Sequence, residues 1–188
     1  MVQTPVKPLS LQAFLSLPET KPATEYLDGQ LQQKPMPQGE HSTIQGELII
    51  GINAVTRRAK IARAYPELRC TFDGSSIVPD VAVFRWENIP RNADGSIANA
   101  FNLAPDWVIE ILSPDQSQTK VTAKILRCLG QGCQLGWLID PKDRSVLIFF
   151  GDRPPVIFTE VSSDPLPVPD FATGFQLTVG ELFAWLLE

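Results

Sequence analysis

From Trp107 to Leu112 the chain runs Trp-Val-Ile-Glu-Ile-Leu. On a strand successive side chains point to opposite faces, so Trp107, Ile109 and Ile111 share one side and Val108, Glu110 and Leu112 the other. Both sides are apolar apart from one acid, the pattern of an interior strand covered on both faces, as in a sheet sandwiched by helices. Period-two or continuous apolar runs predict further strands over about Glu67 to Phe72 and Ile77 to Trp86, and again in "QLGWLID" and "SVLIFF", which a Pro-Lys-Asp-Arg turn separates. In the second of these runs Val78, Asp80, Ala82 and Phe84 share a face, so an acid again interrupts an apolar surface.

Helical spacing accounts for the remaining periodic segments. Ile44, Leu48, Ile52, Val55 and Ala59 predict one long amphipathic helix from about Gly39 to Ala64, with Arg57, Arg58, Lys60 and Arg63 on its other side. That basic side reads first as a solvated face and second as a phosphate-contacting one. Val121, Ile125 and Cys128 form the stripe of a helix from about Ser117 to Gly130, and a short helix follows Ser10. Asp28-Gly29 marks a turn into a strand, and Thr178 with Glu181 has capping-box spacing for a final helix. "ENIPRNADGSIANAFNLAP" reads as a loop, and the Pro-rich stretch after Asp152 has room for one edge strand, because proline cannot sit in a central ladder. Strands alternating with helices, without an internal repeat or a second core, predict an α/β (α+β) fold with a central mixed β-sheet flanked by helices.

Composition narrows the class. A chain of 188 residues, 44% apolar and 20% charged, is expected to be one globular domain over residues 1–188. The N-terminal helix and the C-terminal Pro-rich segment with its helix are read as elaborations. No run approaches the roughly 20 apolar residues of a membrane helix, and the first residues show no signal-peptide pattern. Three cysteines without a CxxC spacing suit a reduced, cytoplasmic protein. The formal net charge of -5 excludes a generic polyanion binder, so any nucleic acid must be met by a local basic patch or through metal ions.

Chemistry therefore rests on the acids buried by pattern. A buried carboxylate needs a cation, a donor network or a wet cleft beside it, or it shifts its pKa until it is neutral. Asp80 and Glu110, on two interior strands, converge if those strands are neighbours. The alternative for Asp80 is that Pro79-Asp80 starts a strand at the solvent edge. Asp106 shares the face of Glu110, but four residues of strand separate them by about 13 Å, too far for one ion, so it is read as the residue that opens the strand. Lys124 falls at the margin of its helix stripe, able to reach a cleft, although a lysine stem lying over apolar surface is the plainer reading. His41, the one histidine, stands at the start of the long helix with Gln45 one turn on. A single histidine excludes HExxH zinc sites, three scattered cysteines make a zinc knuckle improbable, and GxSxG, GxGxxG and P-loop motifs are absent.

"VPDVAVF", "APDWVIEILSP", the lysine fourteen residues after Glu110 and "GCQLGWLIDP" together resemble the Uma-two endonucleases, a branch of the restriction-endonuclease-like PD-(D/E)XK superfamily. "EYLDGQLQQKPMP", the His41 and Gln45 helix start and "ATGFQLTVGELF" extend the resemblance over most of the chain. It implies a metal-dependent nuclease acting on DNA, in which Asp80 and Glu110 bind a divalent metal, Mg2+ or Mn2+. The ion would polarise the phosphoryl oxygen and activate water for in-line attack. Leu112 fills the usual lysine position, and Lys124 matches the position to which this branch moves that lysine. His41 and Gln45 are implied contacts to substrate or to water on the metal. A homodimer is plausible for an enzyme that cuts duplexes. Lys120 stands where an acid is common and Cys128 where a tyrosine is common. These departures, with Leu112 and the acidic charge, keep open an alternative, a catalytically weakened nuclease fold that binds nucleic acid or protein.

Overall fold

The computed structural model of the protein describes residues 9–114 and 116–188. The reading that the chain starts without a signal peptide bears on residues 1–8, which lie outside the described residues. A short helix α1 (Leu11–Leu15), capped by Ser10, precedes the hairpin β1 (Thr24–Leu27) and β2 (Gln30–Gln33). Asp28 and Gly29 join these strands with φ of 50° and 78°, as a two-residue hairpin turn with positive φ at both positions requires. Helix α2 (Gly39–Thr56) leads to β3 (Ala62–Pro66), β4 (Cys70–Phe72), β5 (Ser75–Ile77) and β6 (Val81–Arg85). After the long loop come β7 (Trp107–Ile111), α3 (Gln118–Leu129), β8 (Leu135–Asp140), β9 (Ser145–Phe150), β10 (Val156–Thr159) and α4 (Val179–Ala184).

The strands form two sheets. Six assemble in the order β10-β9-β8-β7-β6-β3 and four in the order β2-β1-β5-β4. In the larger sheet only β7 and β8 pair in parallel, and α3 makes the crossover between them. The central sheet is thus mixed and flanked by helices, as expected. Trp107, Ile109 and Ile111 pack with Ile44, Leu48 and Ile52 of α2 and with Leu182 and Phe183 of α4. Val108 and Leu112, on the opposite face, pack with Val121, Ile125 and Cys128 of α3. The alternation around Glu110 is therefore real, and the acid belongs to the α3 side.

The long helix is shorter than its periodicity suggested. It ends at Thr56, whose hydroxyl donates to the Ile52 carbonyl at 2.8 Å, and the chain reverses through Lys60 with φ 53°. Val55 and Ala59, the last two apolar positions of the apparent stripe, are exposed. Arg57, Arg58 and Lys60 occupy the turn and Arg63 lies on β3, so the expected continuous basic helix face does not exist. The strand expected over Ile77–Trp86 is two strands in different sheets, β5 and β6. Pro79, which has no N–H for a ladder, lies in the break. Of the strand expected over Glu67–Phe72 only Cys70–Phe72 forms one, β4, while Glu67, at φ 42°, lies in the link after β3. Asp80 consequently sits at the seam where the small sheet meets the large one. The final helix carries its full capping box, and β10 is the edge strand expected in the Pro-rich region.

Helix α3 reaches the sheet so closely because β8 has a glycine beneath it. A Cβ on Gly136 would lie 2.2 Å from Cγ2 of Ile125 and 3.5 Å from Cγ1 of Val108. Gly136→Ala is expected to destabilise the protein by about 1–3 kcal/mol through overpacking, read as a lower urea midpoint at unchanged slope.

Candidate active site

The register of β6 on β7 pairs Val81 with Ile109, so Asp80, the residue just before β6, lies beside the Glu110–Ile111 end of β7. The Ile111 N–H donates to Asp80 Oδ2 at 2.7 Å, joining the two strands at this point. Asp80 is 2% exposed and Glu110 1%. The pairing that the sequence left conditional is thus made by neighbouring strands, and Asp80 is no solvent-edge residue.

Two lysines supply the positive charge. The Lys124 ammonium, on α3, lies 2.9 Å from Glu110 Oε1 and 2.9 Å from Glu25 Oε1. Lys124 is 3% exposed, so it is a buried cation and not a stem on the surface. Its ammonium donates to Glu25 but is not aligned to donate to Glu110, whose Oε1 is left buried without a hydrogen bond. Lys34, just beyond β2, donates to Asp80 Oδ1 at 2.6 Å and to the Val78 carbonyl at 2.8 Å. His41 Nε2 is 3.2 Å from Asp80 Oδ2, and Gln45 donates to the Asp80 carbonyl at 2.7 Å. All five residues singled out from the sequence, Asp80, Glu110, Lys124, His41 and Gln45, therefore meet in one cluster.

Glu25 and Lys34 complete the cluster; both lie in "EYLDGQLQQKPMP", a stretch that carries the family resemblance, but neither was singled out as a site residue. Glu25 lies on a four-residue strand and Lys34 in "QQKPMP", a stretch with the look of a surface loop. The only trace is that an acid flanks the apolar Tyr26 and Leu27 on β1. In the structure Glu25 Oε1 also accepts from the Val78 N–H at 2.7 Å, fastening the hairpin to the segment that carries Asp80.

The electrostatics separate the two acids. Burial disfavours ionised Asp80, yet the charge of Lys34 and the hydrogen bond from His41 outweigh it and hold the carboxyl well below the usual range. At Glu110 burial prevails over the attraction of Lys124, and with repulsion from Asp80 it pushes the acid up to about 8. Burial also opposes the charge of Lys124, but Glu110 and Glu25 more than offset it and hold the ammonium protonated beyond its ordinary range. One acid is kept ionised and its neighbour is kept largely protonated at neutral pH, a division typical of working sites.

Access runs through a groove of about 990 Å³ bordered by Gln38, Glu40, Ser113, Gln116 and Lys142, with His41 at its inner wall. His41, Ser113 and Gln116 also line a narrower recess that contains Asp80, Lys34 and Glu67. The divalent ion implied by the resemblance suits this donor set. Two hard carboxylates, one with an unbonded buried oxygen, make a half-shell of the kind magnesium completes with water and substrate phosphate. Among the described residues no group of three or more His, Cys, Asp or Glu is arranged to hold a metal, and Cys70, Cys128 and Cys133 are free and buried in the core. Asp106 stays apart, accepting from the Arg85 N–H at 2.8 Å and from Asn88 at 2.7 Å where β7 begins.

Comparison with known proteins places this arrangement. No curated protein matches the chain. A solved structure described as a crystal structure of "a putative nuclease belonging to DUF820" from Anabaena variabilis ATCC 29413 is 54% identical over 95% of this chain and 99% of that one, with a TM-score of 0.93. The fold is accordingly restriction-endonuclease-like. A family model named Uma2, "Putative restriction endonuclease", matches residues 11–180 and so takes in both sheets and every residue of the cluster. The chain belongs to the Uma2 family of restriction-endonuclease-like nucleases.

Proposed function

We propose that the protein is a divalent-metal-dependent endonuclease that hydrolyses phosphodiester bonds of DNA. The observation that carries this reading is the meeting of two buried carboxylates, Asp80 and Glu110, with Asp80 lining the recess beside an open groove and Glu110 just behind it. Asp80 and Glu110 would hold a Mg2+ or Mn2+ ion. When bound, that ion supplies Lewis acidity to the phosphodiester and sharpens water as a nucleophile. Asp80, already ionised, offers charge at once. Glu110 gives up its proton to become a ligand. Lys124, fixed between Glu110 and Glu25, holds positive charge for the anion that grows as the phosphodiester is attacked. His41, bonded to Asp80 and open to the groove, orients substrate or water, and Gln45 holds the Asp80 backbone in place.

A second reading, a nuclease fold that binds nucleic acid or protein without cutting, is favoured by one feature. Lys34 and Lys124 already neutralise much of the acidic charge of the site. Calorimetric titration with Mg2+ or Mn2+ separates the readings, since a binding module takes up no ion between Asp80 and Glu110.

For the nuclease reading, Mg2+- or Mn2+-dependent nicking of supercoiled plasmid is expected to fall by about 10²-fold or more in Asp80→Asn, Glu110→Gln and Lys124→Met. Circular dichroism checks that each variant is folded. Undiminished cleavage in both carboxylate variants rejects the assignment. The raised Glu110 pKa gives a prediction for the metal-free protein. Its folded value, about 8, lies above its ordinary 4.5, so the folded state binds a proton that the unfolded state has lost. The stability it contributes is complete below about pH 4.5 and is lost as pH rises through about 8. Urea melts of wild type and Glu110→Gln should therefore diverge in slope across that window, by at most about 1.4 kcal/mol per pH unit.

A further inference from the structure

Both cavities leave Lys124 and Glu110 behind their walls, whereas Lys34 lines the inner recess together with Asp80 and His41. Lys34 is thus the buried ammonium nearer the open groove, with which its recess shares His41, Ser113 and Gln116. Three of its surroundings are known: Asp80 Oδ1 at 2.6 Å, the Val78 carbonyl at 2.8 Å and, toward the rim, Glu67 Oε1 at 3.9 Å. The Glu67 side chain is 46% exposed, so the ammonium sits between a fully buried acid and one at the mouth of the recess. The adjoining groove carries Glu40, Asp140 and Asp143 against one lysine, Lys142, so a phosphate entering it needs a cation from the recess. The lysine on α3 is committed to two carboxylates, with its ammonium 2.9 Å from both Glu25 Oε1 and Glu110 Oε1.

We propose that Lys34 is a further catalytic residue of the site, the lysine that contacts the scissile phosphate. The assignment rests on the nuclease reading and deepens it by naming the group that meets the anionic substrate. The competing account makes Lys34 a counter-ion for Asp80 and nothing more. The two accounts part once a divalent ion is present, because the ion then supplies the charge that Asp80 needs. A mere counter-ion becomes redundant at saturating metal. A phosphate contact does not.

The test uses Lys34→Gln, whose amide can still donate to Asp80 and Val78, and Lys34→Arg, which restores the charge. Binding of a short fluorescent DNA duplex is followed by anisotropy in saturating Ca2+ over a series of salt concentrations, and plasmid nicking in saturating Mn2+. Lys34→Gln is expected to bind roughly tenfold more weakly, with a salt slope smaller by about one. It should nick about 10²-fold more slowly. Lys34→Arg should recover the slope and most of the affinity. Calorimetry should give Lys34→Gln a tighter Mn2+ affinity than wild type, since a competing cation has been removed. Wild-type salt slope and rate in Lys34→Gln at saturating metal overturn the assignment and leave the nuclease reading standing. Undiminished cleavage in Asp80→Asn and Glu110→Gln overturns that reading instead, and a wild-type protein without DNA affinity in Ca2+ overturns both.

Discussion

The structure depends on the antiparallel pairing of two apolar strands that brings Asp80 beside Glu110 inside the core. Two acids removed from water so close together repel one another and lose hydration, which costs several kcal/mol unless cations and donors compensate. The rest of the local architecture supplies that compensation. Lys124 arrives from the crossover helix, Lys34 and Glu25 from the N-terminal hairpin, and His41 and Gln45 from the first turns of the long helix. Elements far apart in sequence are thus tied together through one charged centre, and the segment at Val78–Asp80 is where they meet.

This centre also explains the second sheet. Its hairpin and its short strands pack on the α3 side of the large sheet, and the hairpin carries a carboxylate and an ammonium into the interior at its two ends. Glu25 binds both Lys124 and the Val78 backbone, so it couples the helix to the strand segment that presents Asp80. A buried network of this kind adds little net stability compared with an apolar replacement, whereas loss of one partner exposes the full cost of an unpaired charge. Function is the better account of its retention, and membership of a nuclease family agrees with that account.

Much of the fold could be read from local pattern. Period two located β7, β8 and β9, helical spacing located α3, and Thr178 with Glu181 announced α4. The errors occurred where one pattern ran into another. Apolar residues at Val55 and Ala59 continued the helical stripe on paper, but those side chains face water, and Ala62 and Ala64 had already begun the alternation of β3. Val78-Pro79-Asp80 read as the opening of one strand over about Ile77 to Trp86 because Val78, Ala82 and Phe84 keep a period of two. The missing N–H of proline breaks the ladder there and passes the chain from one sheet to the other.

For the site, the sequence by itself determined that Glu110 would be an acid among buried neighbours, because alternation along a strand fixes the face of each side chain without knowledge of any partner, whereas for Asp80 it left a solvent-edge strand start open. It also determined the angular position of Lys124 beside the stripe of its helix. Which strands would be neighbours, and hence that the two acids come together, was decided only by the tertiary structure, since pairing order is a long-range property. The same holds for Glu25 and Lys34. Nothing local distinguishes a lysine that will be solvated from one that a hairpin, docked more than forty residues away in sequence, delivers to a buried carboxylate.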